Sequence, residues 1–552
     1  DENVTNKKII NYDWDNNEVR EKRTPNSAER RYQKTLSKNF TLYADYKKNF
    51  NDRHDLSVMV GTSHESENYD RFTAKRINFD QQENMSLQLG SAQDQNAWSE
   101  GNQWTINSFF SRVNYTFANK YVIEGTIRAD GSSRFDPDHR WGWFPGVNAA
   151  WRVGEEGFMK RLGWFEDLKV RASYGEMGNQ SGIGLYDYIQ LISLSNDYYP
   201  FGTGVKGQMA TSGNIISTSR TWETIQTTNV GFDFSTLNNR LYGSFDYFWK
   251  ENKNMLIPKT YPSMLGADAP STNSGHLSIH GWEISLGWRD QIKDFSYSVR
   301  FNISDAKNKV VDRVGSNLIQ LGNNETPTGY PLNSYFGYEF DGIIQNEQEL
   351  EAYKSRFSEG GIPGDLSVGD AMYKDLDGDG KLSVLGDGKE GSGDVKYLGD
   401  KNPRYNFGFN LSMAWKGFDL SAFIQGVGRR TMFLEGESRC PMPEAWYQSA
   451  EYWYGKTWTP ERTDAQYPAI TLKDKRNYNY YVSTNTKFNV AYARLKNLQF
   501  GYTIPQTLTS KAGLQKVRVY FSGEDLFEVH NTPNGWDPEE NSGSITSYPF
   551  CL

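Results

Sequence analysis

The sequence predicts an all-β fold, a large antiparallel β-barrel that spans a membrane. About 14 segments alternate apolar and polar residues, which is the pattern of a strand with one apolar and one polar face. These segments form hairpins in which tight turns alternate with very long loops. Aromatic residues make up 15% of the 552 residues, yet the mean hydropathy is −0.73. That combination suits aromatic girdles around a polar lumen.

Composition argues against several other classes of protein. No run approaches 18 apolar residues, so we expect no helical membrane spans. The net charge of −8, without a basic stripe, argues against nucleic-acid binding. Cys440 and Cys551 are too few for a disulfide scaffold. The chain begins DENVTNKK and opens with no signal peptide. Because a barrel must be exported, we interpret the chain as a mature or cleaved form, or as a piece of a longer polypeptide.

The hairpin at residues 404–425 shows the alternation most clearly. The apolar residues of its first arm are Phe407, Phe409, Leu411, Met413 and Trp415. The chain turns at Lys416 and Gly417, and the second arm alternates through Phe418, Leu420, Ala422 and Ile424. Each arm has about the 9–11 residues that a tilted strand needs to cross a bilayer. A half-buried hairpin of a soluble sandwich has the same alternation, so it is the repetition along the chain that favours a closed barrel.

The remaining elements follow in chain order. Residues 1–30 are polar and without pattern, and we interpret them as a loop. The predicted strands cover residues 39–48, 56–64, 104–117, 121–129, 142–152, 168–175, 223–234, 241–250, 281–289, 295–302, 404–415, 418–425, 490–502 and 517–522. The tail 524–552 offers no convincing closing strand. The charged residues predicted to face the lumen are Glu124, Arg128, Asp246, Glu283 and Arg300.

Four long connections separate the hairpins, at residues 176–222, 251–280, 304–403 and 426–487. They are predicted to be extracellular, because membrane barrels carry short turns on the periplasmic side and longer loops outside. The third is too long for a mere connector, so we expect it to be functional or partly structured. Residues 348–357 within it could form one short helix.

A candidate metal site lies in the third long loop. Three aspartates at alternate positions, followed by Gly380, reproduce the start of a calcium-binding loop, where carboxylates converge on a hard cation. The bidentate acid expected at position 12 is replaced by Gly386. The predicted ligands are Asp375, Asp377, Asp379, the Lys381 carbonyl and Asp387. The predicted role is to order the loop, and the alternative is an acidic, solvated turn.

Two aromatic clusters are candidates for ligand contact. The long loop 426–487 is dense in Trp and Tyr, and its residues predicted to bind substrate or a partner protein are Trp446, Tyr447, Trp453 and Tyr454. Packing within the loop is the alternative. The cluster Trp141, Trp143, Phe144 and Pro145 fits girdle or packing aromatics better than a sugar platform. The six His and two Cys form no catalytic or metal pattern, so we predict that the protein is not an enzyme.

Six stretches carry a more specific signal. They are ADGSSRFDPDHRWGWFPGVNAAWRV (129–153), DLKVRASYGEMGNQ (167–180), YKDLDGDGKL (373–382), YARLKNLQFGYTIPQ (492–506), VRVYFSGEDLF (517–527) and NGWDPEE (534–540). In order and spacing they resemble the SusC/RagA family of TonB-dependent outer-membrane transporters from the Bacteroidetes. The resemblance covers most of the chain from about residue 104 to residue 549.

The resemblance implies a barrel of 22 strands in the whole family member, preceded by a plug domain and a TonB-contacting segment. Neither is recognisable here, so residues 1–552 look like the C-terminal barrel portion of such a transporter. The implied partners are a SusD-like surface lipoprotein, the TonB complex, outer-membrane lipid, and an oligosaccharide or peptide cargo. No cofactor other than calcium is expected.

Two hypotheses follow for the function. The favoured one is an integral outer-membrane nutrient importer. The alternative is a secreted all-β glycan-binding protein or glycoside hydrolase, in which the aromatic loops would form a cleft. Dependence on detergent would separate the two, because only the importer needs its apolar face covered.

Overall fold

The fold is a single large antiparallel sheet with folded loops at one end. The structure is a computed structural model. It describes residues 2–7, 11–13, 18–20, 26–80, 85–93, 95–195, 200–201, 205–206, 209–213, 215–258, 264, 271–313, 326–385, 393–442, 449–471 and 474–540. The sheet has 15 strands, and each pairs with the next along the chain. This confirms the predicted all-β antiparallel fold.

The strands of the sheet are numbered here in chain order. They are β1 (Glu2–Lys7), β2 (Ser27–Phe50), β3 (His54–Ile77), β4 (Gln95–Phe117), β5 (Tyr121–Ser132), β6 (Trp141–Arg152), β7 (Asp167–Asn179), β8 (Glu223–Thr236), β9 (Leu241–Pro258), β10 (Ser271–Ile292), β11 (Phe295–Asp312), β12 (Arg404–Trp415), β13 (Phe418–Arg429), β14 (Tyr492–Thr503) and β15 (Arg518–His530).

Shorter elements occupy the connections. The helices are α1 (Gly157–Leu162), α2 (Glu347–Lys354), α3 (Asp474–Asn479) and α4 (Gln506–Thr509), with single 3₁₀ turns at Leu87–Leu89, Val153–Glu155, Gly436–Ser438, Glu451–Trp453 and Ser510–Ala512. Pairs of short strands join Asn11–Asp13 to Glu18–Arg20, Ile192–Ser195 to Met209–Ser212, Pro200–Phe201 to Val205–Lys206, Ser334–Tyr338 to Val395–Asp400, Phe340–Ile343 to Ala371–Tyr373, and Thr431–Met432 to Phe488–Asn489. In the part of the chain that the structure describes, every helix is too short or too polar to span a bilayer.

Helix α2 matches the helix predicted at residues 348–357. It begins after Asn346, whose side chain accepts a hydrogen bond from the Glu349 backbone N–H at 2.9 Å. The Glu349 carboxylate in turn accepts from the Gln345 backbone N–H at 2.9 Å. The first bond satisfies a backbone donor that the first helical turn leaves free, and the second ties the residue before the cap to the helix, which fixes the start of the helix.

Connections of two kinds alternate along the sheet. Five of the connections at one end have only two to four residues, as between β12 and β13, where Lys416 and Gly417 both have positive φ (46° and 91°). Turns of this kind match the right-handed twist of paired strands. The connections of more than 14 residues all lie at the opposite end, because successive strands are antiparallel, whereas the two 14-residue connections 153–166 and 504–517 lie with the short turns.

Rows of apolar side chains run across one face of the sheet. Phe409 of β12 lies directly opposite Phe301 of β11 and Ile424 of β13. On β4 and β5, Phe109 and Ile123 point from the same face and are more than half exposed. Large apolar side chains in register and exposed to this degree indicate a surface made for lipid.

Most strands are longer than predicted. β2 and β3 have 24 residues each, about 80 Å at about 3.3 Å per residue. Their extensions are largely polar on both faces, as where Lys34 pairs with Asp70, so no alternation marks them. For the same reason the loop predicted at 251–280 is wrong over much of its length, since β9 continues to Pro258 and β10 begins at Ser271.

The predictions for the two ends of the chain also need correction. Residues 1–30 are not all loop, because β1 pairs with the first residues of β2. β15 continues to His530 instead of ending at residue 522. A shift of register between Leu495 and Asn497 interrupts its pairing with β14, and such a bulge hides the alternation from the sequence. Among the described residues, no pairing joins β1 to β15, so the sheet is open.

Two long inserts pack together into one folded unit. We call the described residues of 326–403 and 430–491 the loop module. Tyr478 of the second insert lies in an apolar cluster formed largely by the first, with Tyr353 and Tyr373. The Asn479 side chain accepts from the Ala371 backbone N–H at 2.9 Å and donates to Asp370 at 2.8 Å. The predicted loops at 304–403 and 426–487 therefore contain a shared core.

Candidate functional site

The polar face of the sheet carries hydrogen-bonded ladders. Glu124 of β5 lies opposite Asn114 and Asn148 on its two neighbours. Both amides donate to its carboxylate, at 3.2 Å and 3.0 Å. The register that aligns the apolar rows on one face therefore also aligns polar groups on the other.

An ion-pair network continues this face across β7, β8 and β9. Arg171 binds Asp246 with both terminal nitrogens, at 2.6 Å and 2.7 Å, and contacts Asp233 at 3.2 Å. Lys169 lies 3.3 Å from Asp233. Each carboxylate thus has a cation beside it, which keeps charges on this wall paired.

The other predicted lumen residues also lie on the polar face. Arg128 donates to Asp130 and to Ser108, and Arg300 stacks on the Tyr242 ring at 5.8 Å. Glu283 lies directly opposite Asp246. These positions form one continuous polar wall.

The acidic loop brings three carboxylates together, but not the predicted set. Ligand atoms of Asp375, Asp377 and Asp394 lie within 4.8 Å of one another. Asp379 lies outside this group, and its carboxylate accepts from the Lys381 backbone N–H at 2.7 Å. Asp387 falls outside the described residues. Asp394, 14 residues beyond Gly380, was missed because no spacing rule points to it.

Backbone hydrogen bonds hold these carboxylates in place. Asp375 accepts from the N–H groups of Gly378 and Gly380, at 2.6 Å and 2.9 Å. Asp394, which is fully buried, accepts from Leu376 and Ser383, at 2.6 Å and 2.8 Å. Backbone N–H groups of the loop therefore hold the carboxylates of Asp375 and Asp394 in place.

Burial and neighbouring charges disfavour the ionised forms of two of these acids. Burial raises the pKa of Asp394, and the charge of Asp377 adds to the effect. Desolvation raises the pKa of Asp377, with contributions from the charges of Asp379 and Asp375. Oxygen ligands this close, with raised pKa values, suit a hard cation such as calcium.

The predicted aromatic contact residues separate into buried and exposed ones. Trp453 is 3% exposed and packs against Tyr467 and Tyr480, so it is part of the loop core. Tyr454 is 89% exposed. Trp446 and Tyr447 lie outside the described residues.

Tyr454 lines a pocket of about 460 Å³ at the edge of the loop module. The 3₁₀ turn Glu451–Trp453 forms one side and the segment 534–536 of the tail forms the other. Its lining residues are Ala450, Glu451, Tyr452, Tyr454, Lys456, Asn534, Gly535 and Trp536. The tail half of this pocket was not predicted, because residue 536 lies more than 80 residues from residue 452.

The second aromatic cluster divides according to the two faces of β6. Trp141 and Trp143 are exposed on the apolar face, and Trp141 stacks on Phe109 with ring centres 6.0 Å apart. Phe144 points the other way and packs edge-on against the buried Trp222 at 5.7 Å. These positions are those of girdle and packing aromatics.

Sequence reasoning missed a charged cluster that joins the last two strands to the tail. Arg494 of β14 contacts Glu528 of β15 and Asp537 and Glu539 of the tail. Arg430 donates to the backbone carbonyls of Pro538 and Glu540. Part of the cluster could have been found, because Arg494, Asp537 and Glu539 lie in stretches 492–506 and 534–540, which carry the family resemblance.

Comparison with known proteins gives consistent matches along the chain. A family model described as TonB dependent receptor-like, beta-barrel matches residues 3–526. TonB-dependent receptor P3 of Formosa agariphila is 32% identical over 524 residues, which cover 92% of this chain and 49% of the relative. TonB-dependent receptor SusC of Bacteroides thetaiotaomicron is 26% identical over 550 residues, which cover 93% and 49%.

Solved structures show the same fold. The RagAB peptide transporter matches with a TM-score of 0.77 at 22% identity, covering 94% of this chain and 55% of that one. The same importer in its open-open state also gives 0.77, at 21% identity, covering 98% and 55%. The chain spans about half the length of the curated relatives that it matches.

Proposed function

The chain belongs to the TonB-dependent receptor-like β-barrel family, and from this premise we propose that it forms part of an outer-membrane importer of oligosaccharides or oligopeptides. The curated relatives that match are receptors, not enzymes. In this proposal the sheet is a large part of the barrel wall. Its apolar rows face lipid, and its polar face lines the interior.

The observation that carries the proposal is an exposed apolar band bounded by aromatic rings. At the end with short turns, Tyr121 stacks between Phe117 and Trp151, with ring centres 6.3 Å apart in both pairs. At the other boundary, Phe109 stacks on Trp141. From Phe117 to Phe109 the strand rises about 26 Å at about 3.3 Å per residue. Because the strands of such barrels tilt by about 35–45°, this length corresponds to a height of about 20 Å between the two aromatic boundaries, which is comparable with the apolar band of outer-membrane barrels, about 25 Å.

The rest of the mechanism follows from this orientation. The short turns would lie in the periplasm and the long loops, with the loop module, outside the cell. A SusD-like lipoprotein would cap the loop end and help to capture cargo. Energy would come from TonB through a plug that contacts the polar wall around Glu124 and Arg171.

Uptake by the native bacterium tests the proposal. Deleting the gene should abolish uptake of one fluorescently labelled oligosaccharide or oligopeptide, and deleting tonB should have the same effect. Mass spectrometry of the protein purified together with its lipoprotein should identify the bound cargo class. The proposal is refuted if the full-length protein stays monodisperse without detergent. It is also refuted if deletion of the gene leaves the uptake of every cargo unchanged.

We further propose that Asp375, Asp377 and Asp394 bind calcium and thereby order the loop. The geometry supports this set, since the three carboxylates converge while Asp379 lies apart. Isothermal titration of the full-length protein with calcium should give heat that Asp377→Ala removes and the matched exposed variant Asp379→Ala retains. If the heat measured with the wild-type protein is no greater than the heat measured with Asp377→Ala, the calcium site is rejected.

A further inference from the structure

The pocket between the loop module and the tail has the chemistry of a sugar subsite. We propose that it binds one pyranose ring of a neutral oligosaccharide. The assignment rests on the proposed import function and refines it, because it names the cargo class at one place on the loop end. Its volume of about 460 Å³ lies within the range of small-ligand sites.

One wall of the pocket is a fixed aromatic surface. The Tyr452 hydroxyl is 2.5 Å from the Tyr467 hydroxyl, and the Tyr452 ring packs edge-on against Trp536 at 6.0 Å. The Lys456 ammonium lies 3.5 Å from the centre of the same ring. Rings held in this way cost little entropy when a ligand binds.

An exposed aromatic ring lies at the mouth of the pocket. Tyr454 follows the buried Trp453 directly, yet its side chain is almost fully exposed. An exposed tyrosine beside a concave site offers a flat apolar face with a polar tip. The apolar C–H face of a pyranose ring could stack on it.

The charges of the pocket disfavour ligands that carry charge of only one sign. Glu451 and Lys456 both line it, and neither forms an ion pair within the described residues. An anion bound beside Lys456 would also meet the carboxylate of Glu451, and a cation would meet the ammonium. Vicinal hydroxyls can donate to Glu451 and accept from Lys456, so a neutral, hydroxyl-rich ligand satisfies both groups.

The tail contributes an amide and open space. Asn534 is exposed at the rim and can both donate and accept. Gly535 has φ of 97°, and a Cβ added there would meet no atom within 4 Å. A hexose unit can therefore enter beside the Gly535 backbone without displacing a side chain.

Saturation-transfer NMR on the full-length protein in detergent tests the subsite. The probes are neutral hexasaccharides (maltohexaose, laminarihexaose, mannohexaose and xylohexaose), trigalacturonate as an anionic sugar, and tetra-alanine. We expect at least one neutral sugar to bind. Tyr454→Ala should weaken it at least about fivefold, equivalent to about 1 kcal/mol, whereas Tyr454→Phe, which keeps the ring, should bind like wild type.

A matched acidic pair provides the second readout. Glu451→Gln should weaken the same sugar, and Glu461→Gln, at an exposed position of the same insert outside the pocket, should not. The subsite is overturned if no neutral sugar binds, if trigalacturonate or tetra-alanine is preferred, or if Tyr454→Ala binds as wild type does. Because gene deletion tests import itself, a failed subsite with uptake still lost on deletion leaves the proposed function standing.

Discussion

At the residue scale, Arg494 shows how a charge can be buried. Its Nε donates to Glu528 at 2.7 Å and its Nη2 to Asp537 at 2.7 Å. Arg494 and Asp537 are both about 4% exposed. Buried ions persist only when they are paired, and removing one partner leaves the other uncompensated.

Replacing Arg494 by Met should therefore destabilise the end of the sheet. We expect a loss of about 3–5 kcal/mol in the free energy of unfolding, measured by urea denaturation of the full-length protein in detergent. Arg429→Met, at an exposed position, should change it by less than about 0.5 kcal/mol. The double variant Arg494→Met/Asp537→Asn should recover part of the loss, and no recovery would contradict the pairing.

Glu339 should make the stability of the loop module depend on pH in the acidic range. Hydrogen bonds from Lys374 and Lys396 lower the pKa of Glu339 to about 2. The contribution is thus fully present above pH 4.5, the ordinary pKa, and is lost as the pH falls toward 2. Glu339 is solvent-accessible, so the stabilisation should be below about 1 kcal/mol.

The measurement compares melting temperatures of the loop module in wild type and Glu339→Gln. The difference should be present at pH 6 and shrink steadily between pH 4.5 and pH 2.5. The exposed Glu359→Gln is the control and should show no such trend. A difference that stays constant with pH would contradict the role of this carboxylate.

At the element scale, β7 offers adjacent residues on opposite faces. Ala172 lies opposite Ala149 and Val230, in an apolar row. Ser173 lies opposite Asn148 and Asn229, on the polar wall. Because successive strand residues point to opposite faces, the pair isolates the effect of the environment from that of strand position.

Arginine at the two positions should have very different effects. Ala172→Arg places a charge in the lipid-facing band and should cost about 2–4 kcal/mol of barrel stability. Ser173→Arg faces the polar wall and should cost little. The readout is urea titration of folding into lipid vesicles, and equal losses for both variants would argue against a lipid-facing apolar row.

The two-residue period of a strand explains which parts of the strands could be predicted from the sequence. The polar wall and the apolar rows followed from alternation, as at Glu124 between Ile123 and Gly125. Alternation ends where a strand leaves the lipid band, so the outer parts of β2 and β3 were missed. It also fails at the bulge near Lys496, where the salt bridge to Asp525 at 2.8 Å accompanies the shift of register.

At the scale of the whole molecule, the loop module should unfold separately from the sheet. Its core is formed by residues of both inserts, and Asn479 links them through Ala371 and Asp370. The barrel strands have their own hydrogen-bonded ladders. Two units that each have their own core or hydrogen-bonded ladder can open at different free energies.

Asn479→Ala should loosen the loop module and leave the sheet intact. The buried Ala371 N–H would lose its acceptor, at a cost of about 1–3 kcal/mol for a buried unsatisfied group, while Asp370 would keep its hydrogen bonds from Ser367. Limited proteolysis should cut the inserts faster while resistance of the barrel is unchanged. Asn477→Ala, two residues away and exposed, is the control, and equal cleavage of both variants would reject the link.

The sequence by itself determined the class of fold, the two faces of the sheet and the family, because alternation of apolar and polar residues is a local property with a period of two. Tertiary structure alone decided that Asp394 joins Asp375 and Asp377, that Trp453 is buried while Tyr454 is exposed, and that Trp536 closes a pocket with Tyr452. Each of these depends on which distant segments pack together, and chain spacing carries no information about that when loops of tens of residues intervene.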